Sequence, residues 1–322
     1  MSTIPSIDLI LNTTVGVEIE MTGITREAAA RVAATVLGNG CRVYHKGGGY
    51  DKWTCIDDRG REWDFVYDSS ICDGNSSSLG ATGRPTCCEL NTPPITYAED
   101  MDKLQELIRA LRSAGAVSGT KYGCGIHVHV SGKGHNAKTV RNFIHLMYSN
   151  DALIRKSLGV TWERERWCEP IDQALVDAVK NADTLEKLAD AWYSTYAPYQ
   201  NRNAHYNDSR YHILNLHRYF TTLGTAANTI EIRAFNASLH AGEIRAYVLL
   251  VLSMNASALT QKNIRALKNP IMAAGNEKFA MRTWLNRMGW TGEMFKNPHK
   301  LFIKRLQGDA AWRFGKSGDL YR

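Results

Sequence analysis

Four short stretches of this chain alternate apolar and chargeable residues with a period of two. They are Val17-Glu18-Ile19-Glu20-Met21, Cys88-Glu89-Leu90-Asn91, Ile126-His127-Val128-His129-Val130 and Ile230-Glu231-Ile232-Arg233-Ala234. That period predicts β-strands whose apolar residues bury on one face while Glu18, Glu20, Glu89, His127, His129, Glu231 and Arg233 share the other. An ordinary solvated face carries Thr, Ser, Lys and mixed charge. Carboxylates at Glu18 and Glu20 repel one another unless a cation lies between them.

A second period, near 3.6, follows most of these strands. Thr25 is a plausible N-cap for a helix over Arg26–Leu37 that stops at Gly38 and Gly40, and Thr96 with Glu99 forms a capping box opening a helix with Met101, Leu104, Leu107, Ile108 and Leu111 on one stripe. A helix is expected from Ala137 to Tyr148, with an extension to Leu158 open, and a long apolar one over Gly242–Leu259, with smaller ones at Lys278–Arg287 and Leu301–Leu306. Trp53–Ile56 and Glu62–Tyr67 flank Asp57-Asp58-Arg59-Gly60, the chemistry of a hairpin turn, so the pairing is antiparallel. The fold class is therefore α+β, a curved, largely antiparallel sheet with helices on one face and an open concave face opposite. Lys46-Gly47-Gly48-Gly49-Tyr50 lacks the ending and following helix of a phosphate loop and is read as a flexible loop; Cys72–Thr86, rich in Gly and Ser, is read as a mobile loop beside the site.

Residues 159–203 break the rhythm. They are expected to form an insertion at the sheet edge with a helical stretch over Pro170–Tyr196, and Arg164 and Arg166 fit a solvated face as well as a contact to an anionic substrate. Arg210–His217 returns to strand character, pairing with Thr229–Phe235. The whole of residues 1–322 is expected to form one catalytic domain, with a C-terminal helical extension over about 262–322.

Composition narrows the class. The 322 residues, 44% of them hydrophobic, can bury a full core, and the net charge of +7 permits polyanion binding without requiring it. Seven cysteines without a Cys-x-x-Cys pair read as reduced thiols, and no stretch approaches the ~20 apolar residues of a membrane span, so a cytoplasmic protein is expected. Cys124 near His127 and His129 lacks the second cysteine of a structural zinc site.

Taken in order, Gly-Val-Glu-Ile-Glu-Met (16–21), Trp63…Asp68-Ser-Ser-Ile71, Glu89-Leu-Asn-Thr-Pro-Pro94, Gly-Ile-His-Val-His-Val-Ser (125–131) and Arg210-Tyr…Leu-Asn-Leu216…Thr-Ile-Glu-Ile-Arg-Ala-Phe-Asn236 carry a resemblance. The set resembles the amidoligase family of the glutamine synthetase and glutamate–cysteine ligase superfamily, across roughly residues 14–260 but not 159–203. The resemblance implies a glutamine synthetase-like catalytic domain that makes amide bonds with ATP through an acyl phosphate. By position, Glu18, Glu20, Glu89, His127 and Glu231 would hold two or three magnesium ions, manganese substituting. Arg233 would brace the transferring phosphoryl group with Glu231, His127 and His129 as catalytic neighbours, and Arg210, Asn215 and Ser131 would contact nucleotide or phosphate. The Glu89 motif offers one acid where glutamine synthetases offer two. The substrates would be a small-molecule or peptide carboxylate and an amine, in a chain compatible with an oligomer and without a membrane partner.

Two rival classes are weighed against this. A zinc-dependent hydrolase could use His-x-His with carboxylates, but a third histidine at strand spacing is missing. A nucleic-acid-binding or modifying protein fits a pI of about 9.0 and eight tryptophans. The aromatics do not interleave with a basic stripe, so nucleic acid would enter only as a substrate.

Overall fold

The computed structural model describes residues 4–268 and 275–314. Its strands are β1 (Thr14–Met21), β2 (Arg42–Gly47), β3 (Lys52–Ile56), β4 (Glu62–Val66), β5 (Cys88–Asn91), β6 (Ile95–Thr96), β7 (Gly125–Ser131), β8 (Leu214–Asn215) and β9 (Thr229–Asn236). They form one sheet in the order β2-β3-β4-β5-β1-β7-β9-β8, with β6 on the start of β1 and every pairing antiparallel. The chain is an α+β protein, as the two periods require.

The buried face follows from alternation. Val17, Ile19 and Met21 of β1, Leu90 of β5, Ile126, Val128 and Val130 of β7, and Ile230 and Ile232 of β9 are fully buried. They meet a helical layer of α1 (Ile7–Asn12), α2 (Arg26–Val36), α4 (Tyr97–Ser113), α5 (Ala137–Leu158) and α10 (Ala241–Thr260); the brief α3 (Gly80–Gly83) lies in the loop before β5. Helix α10 packs on α4, α5 and β7 and is buried almost throughout, which explains why its sequence is apolar all round rather than striped.

The Thr25 and Thr96 caps are those the sequence signals, the second with a change of partner, and Asn136 adds a third. The Thr25 hydroxyl accepts the Ala28 amide, and Asn136 with Thr139 closes a reciprocal box at the start of α5, which runs to Leu158 and ends at Gly159 in the left-handed region. At α4 the Thr96 hydroxyl accepts the Glu99 amide, but Asp100 rather than Glu99 accepts the Thr96 amide, at 3.0 Å. Glu99 turns outward to Arg59 at 2.9 Å.

Several expectations change. The triple glycine is the β2–β3 hairpin turn, and Gly47 and Gly48 have φ of 66° and 75°, values that a side chain would strain. Cys72–Thr86 is tied down by buried arginines: Arg84 holds Asp73 at 3.2 Å and the Ile71 carbonyl, and Arg26 donates to the Arg84 and Cys87 carbonyls at 2.9 Å each. The expected helix over Pro170–Tyr196 is broken into α7 (Gln173–Ala178) and α8 (Leu185–Tyr196), preceded by α6 (Trp162–Glu165). The break falls where Thr184 caps a new helix by accepting the Lys187 amide.

Arg210–His217 is mostly not strand. Only Leu214 and Asn215 pair with β9, because Asn207 accepts the Ser209 amide and Asn215 the His217 amide, curling the chain into a 3₁₀ turn on one side and α9 (His217–Thr221) on the other. Helix α11 (Glu277–Arg287) lies as expected, and α12 (Glu293–Ile303) begins earlier and ends earlier than Leu301–Leu306, with Pro298 inside it. The parts of the C-terminal extension at 269–274 and 315–322 lie outside the described residues.

Candidate active site

Register turns the four alternating strands into three rows of side chains. Asp64, Asn91, Glu18 and His127 stand opposite one another across β4, β5, β1 and β7; Glu89 and Glu20 stand opposite across β5 and β1; Asn215, Glu231, His129 and Gly16 stand opposite across β8, β9, β7 and β1. Between Ile126 and Val128 of β7 the strand β9 carries one extra residue, so Ile232 and Phe235 both reach the core while Glu231 and Arg233 keep the opposite face. Glu18, Glu20, Glu89, His127, His129, Glu231 and Arg233 therefore all line one cavity of about 950 Å³.

Within it the charges sort by partner. The Glu18 carboxylate bridges both imidazoles, 2.8 Å from His127 Nδ1 and 2.9 Å from His129 Nε2, the second contact lying off the line of a hydrogen bond. Burial pushes its pKa up, but His129 and His127 outweigh burial and hold it well below the usual carboxylate range. Burial and the Arg233 guanidinium push His127 down to about 4, whereas Glu18 and Glu231 overcome burial and raise His129. His127 Nε2 is buried without a hydrogen-bond partner, 3.9 Å from Glu20 Oε1.

Glu231 is saturated by donors: Arg233 Nη1 and Asn215 Nδ2 each donate to it at 2.6 Å. Burial is again opposed, by Arg233 and the histidines, and its pKa falls to about 2. Glu20 and Glu89 behave the other way. Burial and the neighbouring Asp68 raise Glu20 to about 8, and burial with Glu18, Asp68 and Glu20 drives Glu89 well above the normal range. Both shifts favour the protonated carboxyl, and a cation between the acids would take the proton's place.

Among the described residues two groups of ligand atoms each lie within 4.8 Å of one another: Glu18, His129 and Glu231, and Glu20, Asp68 and Glu89. The expected metal residues thus divide between two places, His129 joins the first, and His127 stands between them. Asp68 supplies the second acid that the Glu89 motif lacks. Sequence reading quotes it only within the Trp63…Asp68-Ser-Ser-Ile71 motif and gives it no role; it follows strand β4 in an Asp-Ser-Ser turn where its carboxylate accepts the Ser70 amide at 2.6 Å.

The remaining expected residues are placed unevenly. Arg210 lines the cavity with its guanidinium over the rings of Tyr206 and Tyr211, at 5.2 and 5.3 Å. Asn215 has both ends of its amide engaged, one on Glu231 and one on the His217 amide. Ser131 pairs with Thr229 one step beyond His129, accepts the Lys133 amide, and is not among the residues lining the cavity. The insertion lines the cavity with Arg164 and Trp167, while Arg166 is exposed and stacks over the Trp167 ring at 4.8 Å. Tyr50 on the β2–β3 turn touches Tyr206 across the mouth, hydroxyl to hydroxyl, at 2.8 Å.

A family model described as "Putative amidoligase enzyme" matches residues 11–255, from before β1 to within α10, taking in every residue of the three rows and the 159–203 insertion. The chain belongs to this amidoligase family. The family's description is that of an amide-forming enzyme, and the matched span contains every acid and histidine lining the cavity. No curated protein matches the chain. Among solved structures it is similar to a bifunctional glutathione synthetase from Pasteurella multocida, at 15% identity and a TM-score of 0.39, over 92% of this chain and 47% of that one. The amidoligase therefore spans about half the length of that protein. Among the described residues no helix is long and apolar enough to cross a membrane.

Proposed function

We propose that this amidoligase joins a carboxylic acid to an amine with ATP, through an acyl phosphate. The observation that carries the reading is the pair of carboxylate groups on one sheet face, Glu18 with Glu231 and Glu20 with Glu89 and Asp68, within reach of the same cavity. Oxygen-rich groups of this kind suit magnesium or manganese, which keep waters and bridge phosphates. The proton-holding state of Glu20 and Glu89 and the orphaned His127 Nε2 fit cations that would take their place. Two such ions are accommodated by the two groups, and a third would need His127. Bound there, they would neutralise the phosphate oxygens of ATP.

The chain's own residues would do the rest. A substrate carboxylate oxygen would attack the γ-phosphorus, ADP would leave, and the amine would displace inorganic phosphate from the acyl carbon. Arg233, fixed by Glu231 and by the Trp167 carbonyl that accepts from its Nε at 3.1 Å, would face the transferring phosphoryl group. Glu18 would orient both imidazoles, so that His127 presents Nε2, and together with Glu231 it favours the charged form of His129 until a cation takes the proton's place. Arg210 at the rim supports contact with nucleotide or substrate, and seven free cysteines support a reducing, cytoplasmic setting. Nucleic acid enters this reading only as a substrate.

The test is a panel of amino acids, peptides, polyamines and other amines incubated with ATP and magnesium, with released phosphate as the signal and coupled products identified by mass. Phosphate release that needs both an acid and an amine supports the ligase. No coupling with any pair, together with about one tightly held zinc per chain, points instead to hydrolysis at the His-x-His strand.

A further inference from the structure

Four arginines are buried among the described residues, Arg26, Arg84, Arg164 and Arg233. Three have a carboxylate: Arg26 meets Asp51 at 2.5 Å, Arg84 meets Asp73 at 3.2 Å and Arg233 meets Glu231 at 2.6 Å. Arg164 is 4% exposed and has no carboxylate oxygen within 4.0 Å among the described residues. Its Nη2 donates to the Arg233 carbonyl at 3.2 Å, and its Nε is buried with no partner. A buried cation with no ion pair within 4.0 Å is costly: burial weighs against its charge, Glu20 favours the charge from farther off, and the Arg233 guanidinium opposes it.

The sheet is shaped to receive this side chain. Arg164 comes from α6 in the insertion and lies over Gly125 at the start of β7, where a Cβ would overlap the guanidinium carbon. The backbone there is extended, so glycine matters for the close approach and not for its own conformation: a side chain at this position would force the guanidinium to shift. The guanidinium lines the same cavity as Glu20, Asp68 and Arg233. Arg166, two residues on, is exposed and absent from the lining, so the cleft takes one arginine of the pair and leaves the other to solvent.

We infer that Arg164 receives an oxyanion of the substrate, a carboxylate or the phosphoryl group of its acyl phosphate, held beside Arg233 where the insertion meets the sheet. The planar fork of a guanidinium with a free Nε matches two oxygens of such a group, and an anion between the two arginines removes their mutual repulsion. Naming the anion as the substrate's rests on the ligase reading; the anion site does not.

Calorimetric titration with inorganic phosphate and, separately, with acetate, in the presence of magnesium and without ATP, tests the site. The wild type and Arg166→Gln should bind at least one of the two anions alike. Arg164→Gln should lose about tenfold or more in affinity, the scale of one good charged pair. Gly125→Ala keeps the charge but displaces the guanidinium and should weaken binding similarly, while Arg164→Lys should fall between wild type and Arg164→Gln. Stronger phosphate binding assigns the phosphoryl group, and stronger acetate binding the carboxylate. Equal unfolding midpoints in urea separate lost binding from lost fold; if Arg164→Gln does not fold, Gly125→Ala decides. Wild-type affinity for both anions in Arg164→Gln, or no binding of either anion by the wild type at about 10 mM, well above the weak end of specific affinities, overturns the inference. Anion binding that persists where no acid–amine pair couples sinks the ligase reading and leaves the site standing.

Discussion

Replacing Glu20 by Gln should stabilise the cation-free protein at neutral and alkaline pH. Glu20 is 3% exposed, and burial with the Asp68 charge raises its carboxyl to about 8, whereas the unfolded chain ionises it at about 4.3. The native state therefore keeps a proton that the unfolded state releases. The stability this contributes is complete below about pH 4.3 and is lost as the pH rises toward about 8. At about 1.36 kcal/mol per unit, flattening near the folded value, the loss between about pH 5 and about pH 8 is about 3–4 kcal/mol. Gln has nothing to ionise, and its Oε1 can still accept the Gly125 amide, which meets Glu20 at 2.6 Å. Urea unfolding in a chelator should show the wild type losing about 3–4 kcal/mol more than Glu20→Gln across that interval, on the order of 5 °C in melting temperature. Saturating magnesium should shrink the wild-type loss. A variant that tracks the wild type at both pH values, or is less stable at the higher one, refutes a proton on Glu20 in the cation-free site.

Glu18→Gln should behave oppositely, since Glu18 is held low by His129 and His127. Its stabilisation is present above the unfolded carboxylate range and lost as pH falls, so the variant should lose about 1–3 kcal/mol near neutrality, read by urea denaturation. Arg233→Lys should keep ATP affinity within a few-fold while single-turnover phosphate release falls about 10²-fold; an unchanged rate would leave Arg233 as the counter-ion of Glu231 alone. Magnesium binding near pH 7 should release about one proton from Glu20, seen as a calorimetric enthalpy that depends on the ionisation enthalpy of the buffer; a buffer-independent enthalpy would contradict it.

Alternation alone determined which face each of Glu18, Glu20, Glu89, His127, His129, Glu231 and Arg233 would occupy, because a period of two leaves a strand residue only two directions. The second period, near 3.6, likewise determined most of the helices that cover the other face, whose stripes and caps are local signals. Tertiary structure decided which of those residues meet. Register set Glu20 against Glu89 and Glu18 against His127, and an extra residue in β9 let Ile232 and Phe235 both reach the core, none of which a single strand encodes. Asp68 became a ligand candidate only when the turn after β4 folded over Glu20 and Glu89. Arg164 and Arg166 of the insertion are indistinguishable in sequence. Only the fold, by placing a glycine without a side chain at position 125, opened room for Arg164 in the cleft and left Arg166 in water.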